Sequence, residues 1–250
     1  MTRDWDAATY DRVSTPQLAW AAPVLDRLGL RGDETVLDAG CGSGRVTQLL
    51  VDRLPDGKVV AVDSAPAMVA KAREALAGRA VVLLQDLAEL HLGEPVDAVF
   101  SNAVFHWVLD HERLFTRLFA VLRPGGRIEA QCGGAGNVEH FHDTVNRLAD
   151  QPPFSTYLEG WTGPWNFASD TETAALLERI GFTEVHCWLE DSAVVPPEPQ
   201  EYLRTVCLGH HLQQLPDELR DTLVGRVVDL FPSPLTLDYV RLNISARKPG

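Results

Sequence analysis

The chain has 250 residues, 45% of them hydrophobic, with 22 Lys and Arg against 35 Asp and Glu for a formal net charge of −13. A chain of this length and apolar content buries a full core, and no Gly-, Ser- or charge-rich linker interrupts it, so a single domain over 1–250 is expected, as a monomer or homodimer. Its acidity repels phosphate backbones and argues against a nucleic-acid partner; four isolated cysteines (Cys41, Cys132, Cys187, Cys207), no leader pattern and no apolar run of about 20 residues point to a cytoplasmic protein with no membrane partner.

In chain order, residues 1–34 hold Trp5, Tyr10 and Gln17 and an apolar helical pattern over 18–28 that stops at Gly29. Apolar runs at 35–37, 58–62, 80–84, 96–100 and 127–131 then alternate with helical patterns at 45–54, 66–77 and 111–122. Strands separated by helix-length crossovers predict a doubly wound, mostly parallel sheet. In such a sheet a ligand lies outside the carboxyl ends of the strands, where Asp38, Asp63, Asp86 and Asn102 fall. The regularity breaks after 132. Residues 133–168 carry a helical stretch at 138–149 and an aromatic run of Phe154, Tyr157, Trp161, Trp165 and Phe167; a helix at 169–180, a strand at 183–190, a helical block at 198–230 and a last strand at 237–247 follow.

The most informative stretch is Thr35 to Thr47, TVLDAGCGSGRVT. It reads as strand, tight turn and helix N-terminus. Gly40, Gly42 and Gly44 permit positive φ and close approach of a ligand to the backbone, and the N–H groups opening the helix are expected to face outward. About 20 residues on, a second strand ends in Asp63, where a carboxylate can bond both ribose hydroxyls. Taken singly, Asp38 could be a helix N-cap and Asp63 a turn residue before Pro66; together they point to a nucleoside-bearing cofactor. The place of the third glycine of a dinucleotide fingerprint is held by Arg45, which disfavours a nicotinamide oxidoreductase.

Asp38-Ala39-Gly40-Cys41-Gly42-Ser43-Gly44 resembles the first motif of the class I S-adenosylmethionine-dependent methyltransferases. Further segments match in order: Asp63-Ser64-Ala65-Pro66-Ala67-Met68, Gln85-Asp86-Leu87, Ser101-Asn102-Ala103 and Leu122-Arg123-Pro124-Gly125-Gly126. The resemblance implies a Rossmann-like seven-stranded α/β sheet whose last two strands form an antiparallel edge pair. It also implies S-adenosylmethionine as cofactor, with Asp38 near the methionine amino group, Asp63, Ser64 and Met68 around the ribose, and Gln85, Asp86 and Leu87 on the adenine side. Gly40, Gly42, Asn102 and Ala103 complete this set, with Tyr10 and Gln17 folded over the methionine end from a cofactor-covering segment at 1–34. Residues 35–132 would be the cofactor-binding core, and 133–168 with 198–232 a helical substrate lid.

The closest likeness is to the trans-aconitate methyltransferase group, carried by Asp4-Trp5, Tyr10, the 63–68 segment, Asn102 followed by Trp107, Asp110-His111 and the late helical block. It implies methylation of a carboxylate oxygen of a small organic or natural-product acid. The alternative within the class is an N-, C- or hydroxyl-O-methyltransferase with His106 as base; outside it stands a non-catalytic cofactor-binding module. His106 is expected to donate to a carboxylate or to act as that base, Trp107 to shape the methyl pocket, and Trp161, Trp165 and Tyr202 to wall the acceptor. Arg204 and Arg241 are possible anion anchors. His140 with His142 and His210 with His211 lack the i, i+4 spacing of a helical metal pair, so no metal is expected.

Overall fold

The computed structural model describes the backbone from Thr15 and the side chains from Leu18 to Gly250. Helix α1 (Thr15–Leu28) stops at Gly29, whose φ of 57° is left-handed. Strands β1 (Thr35–Ala39), β2 (Lys58–Asp63), β3 (Val81–Leu84), β4 (Val96–Asn102) and β5 (Leu122–Gly133) alternate with α2 (Arg45–Asp52), α3 (Pro66–Leu76) and α4 (His111–Val121). Single 3-10 turns, Leu87–Glu89 and Phe105–Trp107, follow β3 and β4. Beyond β5 come α5 (Glu139–Ala149), α6 (Ser155–Leu158), α7 (Asp170–Ile180), β6 (Thr183–Asp191), α8 (Pro199–Tyr202), a π turn at Leu203–Cys207, α9 (Gly209–Gln214), α10 (Asp217–Leu230) and β7 (Val240–Arg247).

The seven strands lie in the order β3-β2-β1-β4-β5-β7-β6. Strands β1 to β5 pair in parallel, and β7 runs antiparallel between β5 and β6. Alternate side chains of one strand reach opposite faces. Leu37, Val99, Ile128 and Ile244 therefore join Leu114, Phe115 and Leu118 of α4 and Leu177 of α7. Their neighbours Val36, Ala98 and Phe100 pack on Val24, Leu25 and Leu28 of α1 and Leu50 of α2. Both faces are covered, and the order reverses between β1 and β4, which opens a crevice at their carboxyl ends.

A second core stands apart from the sheet. Phe141 and Val145 of α5 and Phe154 pack with Tyr202, Leu203, Leu208, Leu223 and Val227, so that segments 133–168 and 198–232 share one cluster. The helical pattern at 198–230 is not one helix. Pro216 takes an extended ψ of 153° as the residue before α10, which separates α9 from α10. Among the described residues no helix is long and apolar enough to cross a membrane.

Arg127 on β5 ties the sheet to the loop after α1. Its Nε donates to Leu28 O at 2.7 Å and its Nη2 to Glu34 Oε1 at 2.8 Å, on a carboxylate whose side chain is 0% exposed. The exposed Arg31 is the second cation on Glu34, at 3.4 Å. Arg127→Met strands that buried carboxylate on a solvent-facing partner, and the unfolding free energy from urea titration is expected to fall by about 3 kcal/mol.

Candidate active site

The turn after β1 is shaped by its glycines and by what they touch. Gly40 (φ 93°), Gly42 (φ 53°) and Gly44 (φ 89°) are all left-handed. A Cβ on Gly40 would stand 2.3 Å from Val104 Cγ2, so no other residue fits there. The turn's N–H groups at Gly40, Cys41, Gly42 and Gly44 are spent internally. Gly40 and Cys41 donate to Val62 O at 2.8 and 2.9 Å, Gly42 donates to Asp63 Oδ2 at 2.9 Å, and Gly44 donates to Cys41 O at 3.0 Å. A pyrophosphate needs such donors; a ligand that approaches through van der Waals contact does not.

Asp38 does not cap α2, whose N-cap is Gly44 without a side-chain bond. Its Oδ2 instead accepts from Thr47 Oγ1 at 2.7 Å, and the residue is 2% exposed. Burial pushes its carboxyl up from 3.8 to about 7; the Thr47 hydrogen bond opposes this and the Asp63 charge adds to it. Asp63 holds the start of α3 as well as the turn, its Oδ1 accepting from Ala65 N–H at 2.9 Å, with Pro66 in the first helical turn. Burial raises its carboxyl too, against the pull of the backbone donors Ala65, Gly42 and Ser64. Each oxygen retains a further lone pair for a hydroxyl donor.

These groups line one cavity of about 720 Å³ at the β1/β4 crevice. Asp38, Gly40 and Gly42 enter from β1 and its turn, Asp63, Ser64 and Met68 from β2 and α3, and Asp86 and Leu87 from the end of β3. Asn102 and Ala103 enter from β4, where Ala103 has a φ of 62° and donates its N–H to Gln131 O at 2.7 Å. Gln85 is not among the lining residues: its amide closes a loop by donating to His91 O and accepting from His91 N–H. Tyr10 lies outside the described residues, and of Gln17 only the backbone in α1 falls within them.

The cavity continues past Asn102 to His106, Trp107 and Trp165. His106 is 7% exposed, and its Nδ1 accepts the N–H of Gly133 at 3.2 Å. An amide N–H only donates, so the imidazole proton sits on Nε2. Burial, with the Arg241 and His111 charges, holds its pKa well below the usual imidazole range, so the ring is a neutral donor. Trp161 and Tyr202 are absent from the lining. Trp161 packs edge-on against Trp165 at 5.6 Å, and Tyr202 is buried with its hydroxyl 3.0 Å from that of Tyr239, which does line the cavity.

Arg204 pairs with Asp221 of α10 and is not in the cavity wall. Arg241 is in it. It is 2% exposed, its Nε donates to Gln131 Oε1 at 3.2 Å, and its guanidinium lies over the Trp20 ring at 4.2 Å. Trp20, Asn137 and Tyr239 also line the site and went unnoticed in the sequence, which carries no local motif around them. His142 lines the cavity with its ring 6.4 Å from that of His211, but among the described residues no three His, Cys, Asp or Glu side chains gather as a metal group.

Comparison with known proteins now bears on the ligand. The family described as "Methyltransferase domain" matches residues 36–126. A trans-aconitate 2-methyltransferase of Methylobacterium nodulans is 36% identical over 187 residues, 74% of this chain and 67% of that protein. Another, from an Acidovorax species, is 32% identical over 230 residues, covering 87% and 85%. This chain belongs to the S-adenosylmethionine-dependent methyltransferases. Solved structures agree on the fold: the YcgJ protein of Bacillus subtilis superposes with a TM-score of 0.66 at 14% identity over 92% of this chain and 98% of that one. Phosphoethanolamine N-methyltransferase 2 of Haemonchus contortus, in complex with S-adenosyl-L-methionine, gives 0.63 at 19% identity over 98% of this chain, which spans 57% of that enzyme's length.

The cavity fits the cofactor of this methyltransferase. The Val104-closed turn accepts no bulk but permits close contact, its N–H groups are engaged as suits a cofactor without phosphate, and the buried Asp38 suits a cationic partner. In the ligand-free enzyme the folded state holds the Asp38 proton between pH 4 and 7 while the unfolded chain, at 3.8, has lost it. Stability from this group is therefore full below about pH 4 and falls as pH rises to about 7, by at most about 1.4 kcal/mol per pH unit. Asp38→Asn is expected to remove that slope from urea titrations across this window. Asp63→Ala removes the acceptor for Gly42 and Ala65 together with the hydroxyl ligand, and calorimetric titration with S-adenosylhomocysteine is expected to weaken by about 100-fold or more.

Proposed function

We propose that this methyltransferase transfers a methyl group to a carboxylate oxygen of a small organic acid, bound in the cavity between His106 and Arg241. S-adenosylmethionine, when bound, supplies a methyl on a positively charged sulfur that an in-line nucleophile can displace. A carboxylate arrives without a proton at neutral pH, so the residues around it must orient it and keep water away, and none needs to act as a base.

The observation that carries this reading is the Gly133 N–H bond to His106 Nδ1. It holds the ring as an Nε2–H donor. A ring so held can position a carboxylate oxygen, whereas a base for a hydroxyl or amine would need its lone pair on the cavity side. Arg241, buried and cationic in the same wall, adds a charge-assisted donor. The carboxyl-methylating names of the two relatives support the same class. In this reading Asp38 offsets the cofactor's charge, Asp63 takes ribose hydroxyls, Trp107 shapes the methyl pocket, and the helical unit of 133–168 and 198–232 closes the cavity to water.

The donor role has a direct test. At saturating cofactor and acid, kcat is expected to stay flat from about pH 6 to 9, and His106→Gln, which keeps an N–H donor, to retain kcat within about tenfold while His106→Ala loses more. Product identity is read from methanol released on alkaline hydrolysis of the ester. A kcat that rises through a pKa near 7 in the parent enzyme and loses that dependence in His106→Gln would establish the base instead.

A further inference from the structure

We infer that the acceptor is a monocarboxylic acid with a flat, apolar body, of the aryl or conjugated alkenyl class, in place of a tricarboxylate such as trans-aconitate. This rests on the carboxyl-methylating reading above and narrows it. The two ends of the cavity differ in chemistry. Asp38, Asp63 and Asp86 stand at the cofactor end. Beyond His106 the wall is made of rings. Phe167 stacks on His106 with centroids 5.7 Å apart and planes 27° from parallel, Trp165 stacks on Phe167 at 6.2 Å and 21°, and Trp107 meets Trp165 edge-on at 6.4 Å and 75°. Phe167 and Trp165, nearly parallel, present an aromatic surface beside the His106 donor, and flat guests gain most from such a surface.

Charge points the same way. Among the described lining residues the Lys and Arg side chains are Arg241, which is buried, and Arg45, which is exposed and adjoins the glycine turn at the cofactor end. One face of the Arg241 guanidinium lies against Trp20 and its Nε is engaged by Gln131, so part of its binding capacity is already committed within the protein. Three imidazoles line the cavity, His106, His142 and His210. His106 is neutral, and burial pushes His142 down to about 4 against the pull of Asp238 and Asp143, so neither of these two is cationic at neutral pH. A second or third carboxylate would enter between aromatic faces and the acids at the cofactor end, desolvated and, among the described lining residues, with no Lys or Arg beside it other than Arg241. A planar hydrocarbon body in that space forfeits nothing.

The test uses the full chain loaded with S-adenosylhomocysteine for binding and with S-adenosylmethionine for turnover. Cinnamate and indole-3-acetate are compared with trans-aconitate and citrate, reading tryptophan fluorescence for binding and ester-derived methanol for product. The expected result is at least about 100-fold tighter binding and higher kcat/KM for the monocarboxylates. Arg241→Gln should raise KM for all the acids, and Trp165→Ala should lower affinity for cinnamate and indole-3-acetate while leaving S-adenosylhomocysteine affinity intact. Trans-aconitate bound and esterified as well as or better than the aromatic acids would overturn the inference and leave carboxyl methylation standing. Absence of binding by either monocarboxylate to the loaded enzyme would also overturn it. Aromatic acids that bind tightly and are never esterified, while phenols or amines are methylated, would overturn the carboxyl-methylating reading itself.

Discussion

One carbonyl organises the cofactor end. Val62 O, near the end of β2, accepts the N–H groups of both Gly40 and Cys41 and so fastens the turn after β1 to its neighbour strand. The Gly42 N–H then meets Asp63, the residue after that carbonyl, and Asp63 in turn takes the N–H of Ala65 ahead of α3. Two strand ends, a turn and a helix start are thus locked by donors that would otherwise require a ligand. The cavity is preorganised before any cofactor arrives, and the acids it displays are oriented by backbone rather than by flexible partners.

The acceptor end is organised differently, through the antiparallel addition to the sheet. Strand β7 inserts between β5 and β6 and brings Asn243 beside Gln131. Gln131 then spans the two ends of a polar chain. Its Oε1 accepts from Arg241, and its Nε2 donates at 3.4 Å to Asn243 Oδ1, which also accepts from Arg27 Nη2 at 2.9 Å. Arg27 continues the chain to Glu129 at 3.2 Å. A buried guanidinium is costly unless its donors are met, and this network together with the Trp20 face is what allows Arg241 to stand at a cavity wall. In the proposed reading the acceptor is held by β7 and the helical unit, and the cofactor by the ends of β1 to β4.

The cofactor half was legible in the sequence because its signals are local. A positive φ at Gly40, Gly42 and Gly44, the acids Asp38, Asp63 and Asp86 at or within two residues of the ends of β1, β2 and β3, and a Pro opening α3 are each local features, and the alternation of strand and helix patterns implies which ends face the same side. The internal use of the Gly40 and Cys41 N–H groups has no local signal, since their acceptor, Val62 O, lies on another strand. Gln85 was likewise drawn in by its neighbour Asp86, yet its amide spans the loop to His91. The late helical block divides at Pro216, which stands between α9 and α10.

By itself, then, the order of residues determined the doubly wound sheet, the cofactor class and the acids that face it, through backbone conformations and periodicities that each segment satisfies alone. Tertiary structure decided the acceptor end. Trp20, His106, Trp165 and Arg241 are scattered over more than 200 positions and carry no shared spacing, so only the packing of α1 on the sheet, the insertion of β7 and the second core of helices bring them to one wall, with Gln131 holding Arg241 there. The tautomer of His106 depends on a single N–H of Gly133, 27 positions away, and the aromatic run is divided into Trp165 at the cavity and Trp161 behind it, packed edge-on against Trp165. Such choices are made by long-range contact, where the free energy of burial outweighs any local preference.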